Sequence, residues 1–146
     1  MNRKGLTLLE LLVVWLIVAV GVTLFFPRII NWSQNYRLRD ATRDIASVLR
    51  TAQAEAVSNN VGYRVCFDTR AGSYLIERNS EGGWLQEGKV QVLPPGIRIK
   101  EITLSENCAQ FNPNSTYSSG IITLRNAKGK EKKIILNTGP ERIRTE

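Results

Sequence analysis

Apolar residues fill almost every position from 6 to 26, the run "LTLLELLVVWLIVAVGVTLFF", broken only by Thr7, Glu10, Gly21 and Thr23. As a helix, this run rises about 31 Å at ~1.5 Å per residue, which matches the hydrocarbon thickness of a bilayer. Arg3 and Lys4 stand before it, and positive charge at that end keeps a short N-terminus cytoplasmic. The expected orientation is N-terminus in, remainder out. Trp15 and Trp32 suit the helix packing and interfacial belt of such an anchor. A secretory signal would have a shorter apolar region followed by small residues, whereas "FFPRIINW" follows here, so no cleavage is expected after the run.

Beyond Pro27 the pattern changes period. Leu38, Ala41, Ile45, Val48, Ala52 and Ala56 recur at three- and four-residue steps, one face of an amphipathic helix. Arg37, Arg39, Arg43, Asp44, Arg50 and Glu55 lie largely off that stripe. Pro27 lacks a backbone donor and is expected to kink the helix. "SNN" at 58–60 followed by Gly62 predicts the stop.

From there the period is two. "YRVCFD", "GSYLIER", "GGWLQEGKVQVL" and "PPGIRIKEITL" read as strands separated by turns, and "GIITLRNAKGKEKKIILNTG" as a hairpin turning at "NAKGK". The predicted class is α+β: a long N-terminal helix, transmembrane in its first half and amphipathic in its second, packed on an antiparallel sheet. The expected divisions are 1–5, a leader; 6–26, a transmembrane helix; 27–60, its amphipathic continuation; and 61–146, a β-rich domain with a C-terminal tail. Neither an internal repeat nor a low-complexity segment is present.

Composition narrows the chemistry. Lys and Arg outnumber Asp and Glu by 20 to 13, and histidine is absent from all 146 residues. The chain therefore lacks the commonest general base and the commonest transition-metal ligand. Ser118 and Ser119 have no histidine to activate them, and neither a G-x-S-x-G nor a phosphate-cradling glycine pattern occurs. No catalysis, cofactor or metal is expected. Cys66 and Cys108 are too few ligands for a metal site; they either pair in an oxidising compartment or remain two half-buried thiols. Tyr63, Tyr74, Trp84 and Tyr117 either fill a small core or stack bases.

The N-terminus resembles the processing signal of type IV prepilins and pseudopilins: basic residues, then Gly5, then "LTLLE" with an acid at its fifth position. That resemblance implies that prepilin peptidase cuts between Gly5 and Leu6, and that Leu6 becomes the N-methylated mature terminus. Leu6 departs from the phenylalanine usual there. Glu10 would meet the free terminal amine of a neighbouring subunit during assembly, and Pro27 would fall at mature position twenty-two, where pilins often carry a kinking proline. Physics agrees that an acid inside lipid marks function, although Glu10 alone also suits a side chain reaching the headgroups.

Farther along, "LRTAQAEAVSNNVGYRVCF", "GGWLQEG" and "FNPNSTYSSGIITLRNAKGKEKKIILNTGPERIR" resemble the GspH/FimT-type pseudopilins, general secretion pathway protein H. The resemblance spans nearly the whole chain. It implies a minor subunit of a type IV pilus or type II secretion pseudopilus, in the inner membrane, with a periplasmic domain, extracted into a filament of other pilins.

A second implied role is DNA capture. Arg125, Lys128, Lys130, Lys132, Lys133, Arg142 and Arg144 face only two acids, Glu131 and Glu141, in the same stretch. Placed at a hairpin tip and chain end, such cations bind phosphates without reading sequence. The FimT-type motif is Gly-Arg-x-Arg; here Pro140 and Glu141 separate Gly139 from Arg142 and Arg144. The same lysines also serve simply to keep edge strands soluble and unpaired.

Overall fold

The computed structural model describes residues 7–114, 118–137 and 143–146, and within these the side chains of 24–32 are left aside. Gly5, Leu6, Tyr117 and Arg142 lie outside the described residues, as does the side chain of Pro27. Helix α1 is Leu8–Ser58, and its backbone is helical at Pro27 and on both sides of it. The chain divides into two compact units, Met1–Ser33 and Gln34–Glu146.

In the first unit, the Glu10 backbone N–H donates to Thr7 Oγ1 at 3.3 Å. Thr7 thus caps the helix, with an acid three residues on, where the N-terminal dipole favours negative charge. Toward its far end, Thr23 Oγ1 donates back to the Val20 carbonyl at 2.8 Å. Among the described residues no helix is long and apolar enough to cross a membrane; the described side chains of the apolar run end at Thr23, short of its last three residues.

The second unit opens on the amphipathic part of α1. Leu38, Ala41, Ile45, Leu49, Ala52 and Ala56 are all buried. Leu49 occupies the central place expected for Val48, which is only partly buried at the core's margin. The helix ends where Asn60 turns left-handed (φ 52°), and the Val61 N–H returns to the Ala56 carbonyl at 3.3 Å. Asparagine tolerates that conformation better than most residues, so the polar "SNN" stops the helix as its chemistry dictates.

Eight strands follow: β1 (Tyr63–Asp68), β2 (Ser73–Ser80), β3 (Gly83–Val92), β4 (Ile97–Ile102), β5 (Cys108–Phe111), β6 (Gly120–Asn126), β7 (Glu131–Leu136) and β8 (Ile143–Thr145). They form two antiparallel four-stranded sheets rather than one, ordered β3-β2-β1-β5 and β4-β6-β7-β8. In the first, Asp68 accepts from the backbone N–H groups of Ala71 and Arg70 and so closes the β1–β2 turn. Those donors hold its carboxyl below the usual carboxylate range.

The sheets separate because β4 does not continue the first meander. After Pro94, Pro95 and Gly96 (φ 86°), β4 pairs with the distant β6, while β5 returns to β1. Tyr63, Val65 and Phe111 from the first sheet join Ile122, Leu124, Ile134 and Leu136 from the second in one cluster with the helix stripe. Burial raises the Tyr63 hydroxyl above its ordinary range, although the Asn59 side chain donates to it at 2.9 Å. Tyr63 and Tyr74 are thus core residues. Trp84 is not; the Arg64 guanidinium stacks over its ring at 4.4 Å.

Candidate functional site

Two features carry chemistry: the apolar surface around Glu10 and the cations of the second sheet. On the first, Leu8, Leu9, Leu11, Leu12, Trp15, Leu16 and Ile17 are each more than half exposed in the lone chain. An apolar surface of this extent is costly in water and marks a face that something apolar covers. Glu10 is the one acid on it among the described residues. Thr7 had escaped the sequence reading as a cap, although "TLLE" carries the cap-plus-acid spacing in plain view.

The basic residues are not brought together. Alternation along the strands sorts them. On β6, Ile122, Leu124 and Asn126 point into the core, leaving Arg125 outside; on β7, Ile134 and Leu136 point in, leaving Lys133 outside. Arg144 of β8 lies opposite Ile135 on that same outer face. Lys132, opposite Leu124, falls on the other face, toward the helix. The expected single projecting cluster is therefore split, because neighbours in a strand face opposite ways.

Two carboxylates offset part of this basic charge. Lys100 Nζ lies 2.8 Å from Glu131, Arg125 lies 3.9 Å from the same carboxylate, and Arg144 lies 3.3 Å from Glu146. The Lys100 ammonium beside Glu131 holds that carboxyl below its usual range.

Lys128 and Lys130 sit in the turn between β6 and β7, and one buried side chain builds it. Asn126 Oδ1 accepts from the backbone N–H groups of Lys128 and Lys130, at 3.0 and 2.9 Å. Its Nδ2 donates to Asn35 Oδ1 at 3.3 Å. Gly129 takes the left-handed conformation (φ 85°) that the tight turn requires. Asn126→Ala strands two N–H groups and is expected to lower the unfolding free energy by about 2 kcal/mol, with urea titration as the check.

Cys66 and Cys108 are direct partners in the β1–β5 register and are joined by a disulfide, their Cα atoms 4.1 Å apart. Glu77 approaches this bridge, its Oε2 3.7 Å from Cys66 Sγ, while pairing with Arg64. Among the described residues no group of three or more His, Cys, Asp or Glu is placed to hold a metal.

Comparison with known proteins agrees with this architecture. The family model for the type II transport protein GspH matches residues 41–139, well over half of the chain. No curated protein matches it. Among solved structures, the minor pseudopilin EpsH of the Vibrio cholerae type II secretion system is similar, with a TM-score of 0.65 at 10% identity, covering 75% of this chain and 96% of that one. The type IV minor pilin FimU of Pseudomonas aeruginosa gives 0.62 at 16% identity, over 79% of this chain and 92% of that one. At such identities the likeness is one of fold. With the family model spanning the helix stripe from Ala41 onward and strands β1 to β7, the chain belongs to the GspH family of type II transport proteins.

Proposed function

We propose that this chain is a minor pilin-like subunit, anchored in the inner membrane by residues 6–26 and assembled into a type II secretion pseudopilus or type IV pilus. The observation that carries this reading is the bare apolar surface from Leu8 to Val22, interrupted by a single carboxylate at Glu10. Lipid covers such a surface first, and the apolar helices of neighbouring subunits cover it after extraction.

Prepilin peptidase cuts after Gly5, and Leu6 becomes the methylated terminus. Removal of residues 1–5 creates an amine near the helix start. Within a filament, that amine of one subunit and Glu10 of the next are desolvated together, which satisfies a charge that neither can leave unpaired. Pro27 bends the helix as it leaves the membrane. The domain from Gln34 onward lies in the periplasm, where the disulfide is at home.

Protease added to intact cells and to spheroplasts tests the topology. The sheet domain is expected to be digested only in spheroplasts; protection in both would place it in the cytoplasm and contradict the reading. DNA capture is the second reading. The exposed turn lysines Lys128 and Lys130 favour it, while the ion pairs of Arg125 and Arg144 weigh against it. A gel shift of the full chain that vanishes in Lys128→Gln/Lys130→Gln would support it.

A further inference from the structure

The cations that the hairpin cluster loses reappear elsewhere. Lys132, on the helix-facing side of β7, lines a recess of about 130 Å³ together with Arg39, Thr42, Arg43 and Thr145. Arg39 and Arg43 stand one turn apart on α1, so their guanidinium groups reach the same place. Thr42 commits its hydroxyl proton to the Leu38 carbonyl at 2.6 Å, leaving the three cations as the recess's charged donors. None of them forms an ion pair with a described carboxylate. Asp40 and Asp44, the acids beside them on the same helix, form no ion pair with them.

A second, more open recess of about 540 Å³ adjoins it through Thr145 and is lined by Arg50, Ile143 and Arg144. Arg50 Nη2 donates to the Ile143 carbonyl at 3.3 Å. Both recesses run beside β8, one of the two edge strands of its sheet. Along this seam, Arg39, Arg43, Arg50 and Lys132 line two recesses whose walls hold no described acid, while Arg144 at the rim is already paired with Glu146. Like charges gathered in this way repel one another until an anion enters between them.

We propose that the seam between α1 and β8 docks an acidic segment of a different subunit, with one Asp or Glu carboxylate held by Arg39, Arg43 and Lys132 and a second reaching Arg50. The proposal rests on the filament reading above. A second copy of this chain, carrying a net charge of +7 and the same cations, is a poor occupant. Guanidinium pairs match the planar carboxylate in bidentate fashion.

The test uses the full chain in detergent and fluorescence anisotropy with labelled hexaglutamate as the probe. Arg39→Gln/Arg43→Gln, and separately Lys132→Gln, are expected to weaken binding at least about tenfold. Lys128→Gln/Lys130→Gln removes as much charge as the arginine pair and is expected to change binding by less than about twofold. Melting curves confirm that each variant folds. Equal losses in seam and turn variants, no binding by the parent, or tighter seam-dependent binding of a thymidine oligonucleotide would overturn the proposal. Processing of the N-terminus is read independently by mass. A processed chain that ignores hexaglutamate contradicts the seam alone, and an unprocessed chain that binds it contradicts the filament reading alone.

Discussion

Glu10→Leu is expected to enter the membrane as well as the parent chain, and to be incorporated into filaments at least about a hundredfold less. The residue meets two different environments. In the membrane before assembly, leucine suits lipid better than a carboxylate does. In the proposed filament, the substitution would leave a neighbour's terminal amine desolvated without a partner, at a cost of about 3–5 kcal/mol per contact. Glu10→Gln separates charge from hydrogen bonding and is expected to fall between parent and Leu. Thr7→Val removes only the helix cap and is expected to cost about 1 kcal/mol of local stability without abolishing assembly. Quantified filament fractions check all three. Normal incorporation of Glu10→Leu would mean that the acid serves only the helix terminus.

Replacing Cys66 and Cys108 together by serine is expected to lower the unfolding free energy of the sheet domain by about 4 kcal/mol, from the 42-residue separation that the bridge closes. That is a large fraction of the stability of a domain this size. The bridge ties β1 to β5, and β5 is a four-residue strand at the edge of its sheet. With the bridge gone, β5 is the element expected to open first. Denaturant titration with and without reductant measures the loss. Hydrogen exchange at Ala109 and Gln110 locates it.

The sequence made local features legible and left non-local ones hidden. Tyr63–Asp68 reads as a strand because its alternation is strict, and the same segment is β1. The "NAKGK" turn was visible because Asn and Gly are the residues such a turn needs. Leu49 was missed in favour of Val48 because a helical stripe is wider than one row of side chains. The return of β5 to β1 across 42 residues has no local signature, and β8 is three residues in a charged tail, too short for any period to show. Two sheets were consequently read as one.

The same distinction governs the candidate site. Grouping Lys132 with Lys133 followed their adjacency in sequence, yet the alternation that buries Ile134 and Leu136 turns Lys132 toward the helix. Its companions, Arg39 and Arg43, were read only as the solvated side of an amphipathic helix. They meet Lys132 because tertiary packing brings the helix beside β7, a relation no single-chain pattern encodes.

We propose that "KGLTLLE" is a processing and assembly signal rather than the start of a plain anchor. Intact-mass and N-terminal peptide analysis of the chain recovered from membranes tests it most directly. Loss of residues 1–5 and a single added methyl group on Leu6 are expected, both abolished in Gly5→Leu. A chain that retains Met1 to Gly5, or that is cut after the apolar run near Phe26, would contradict it.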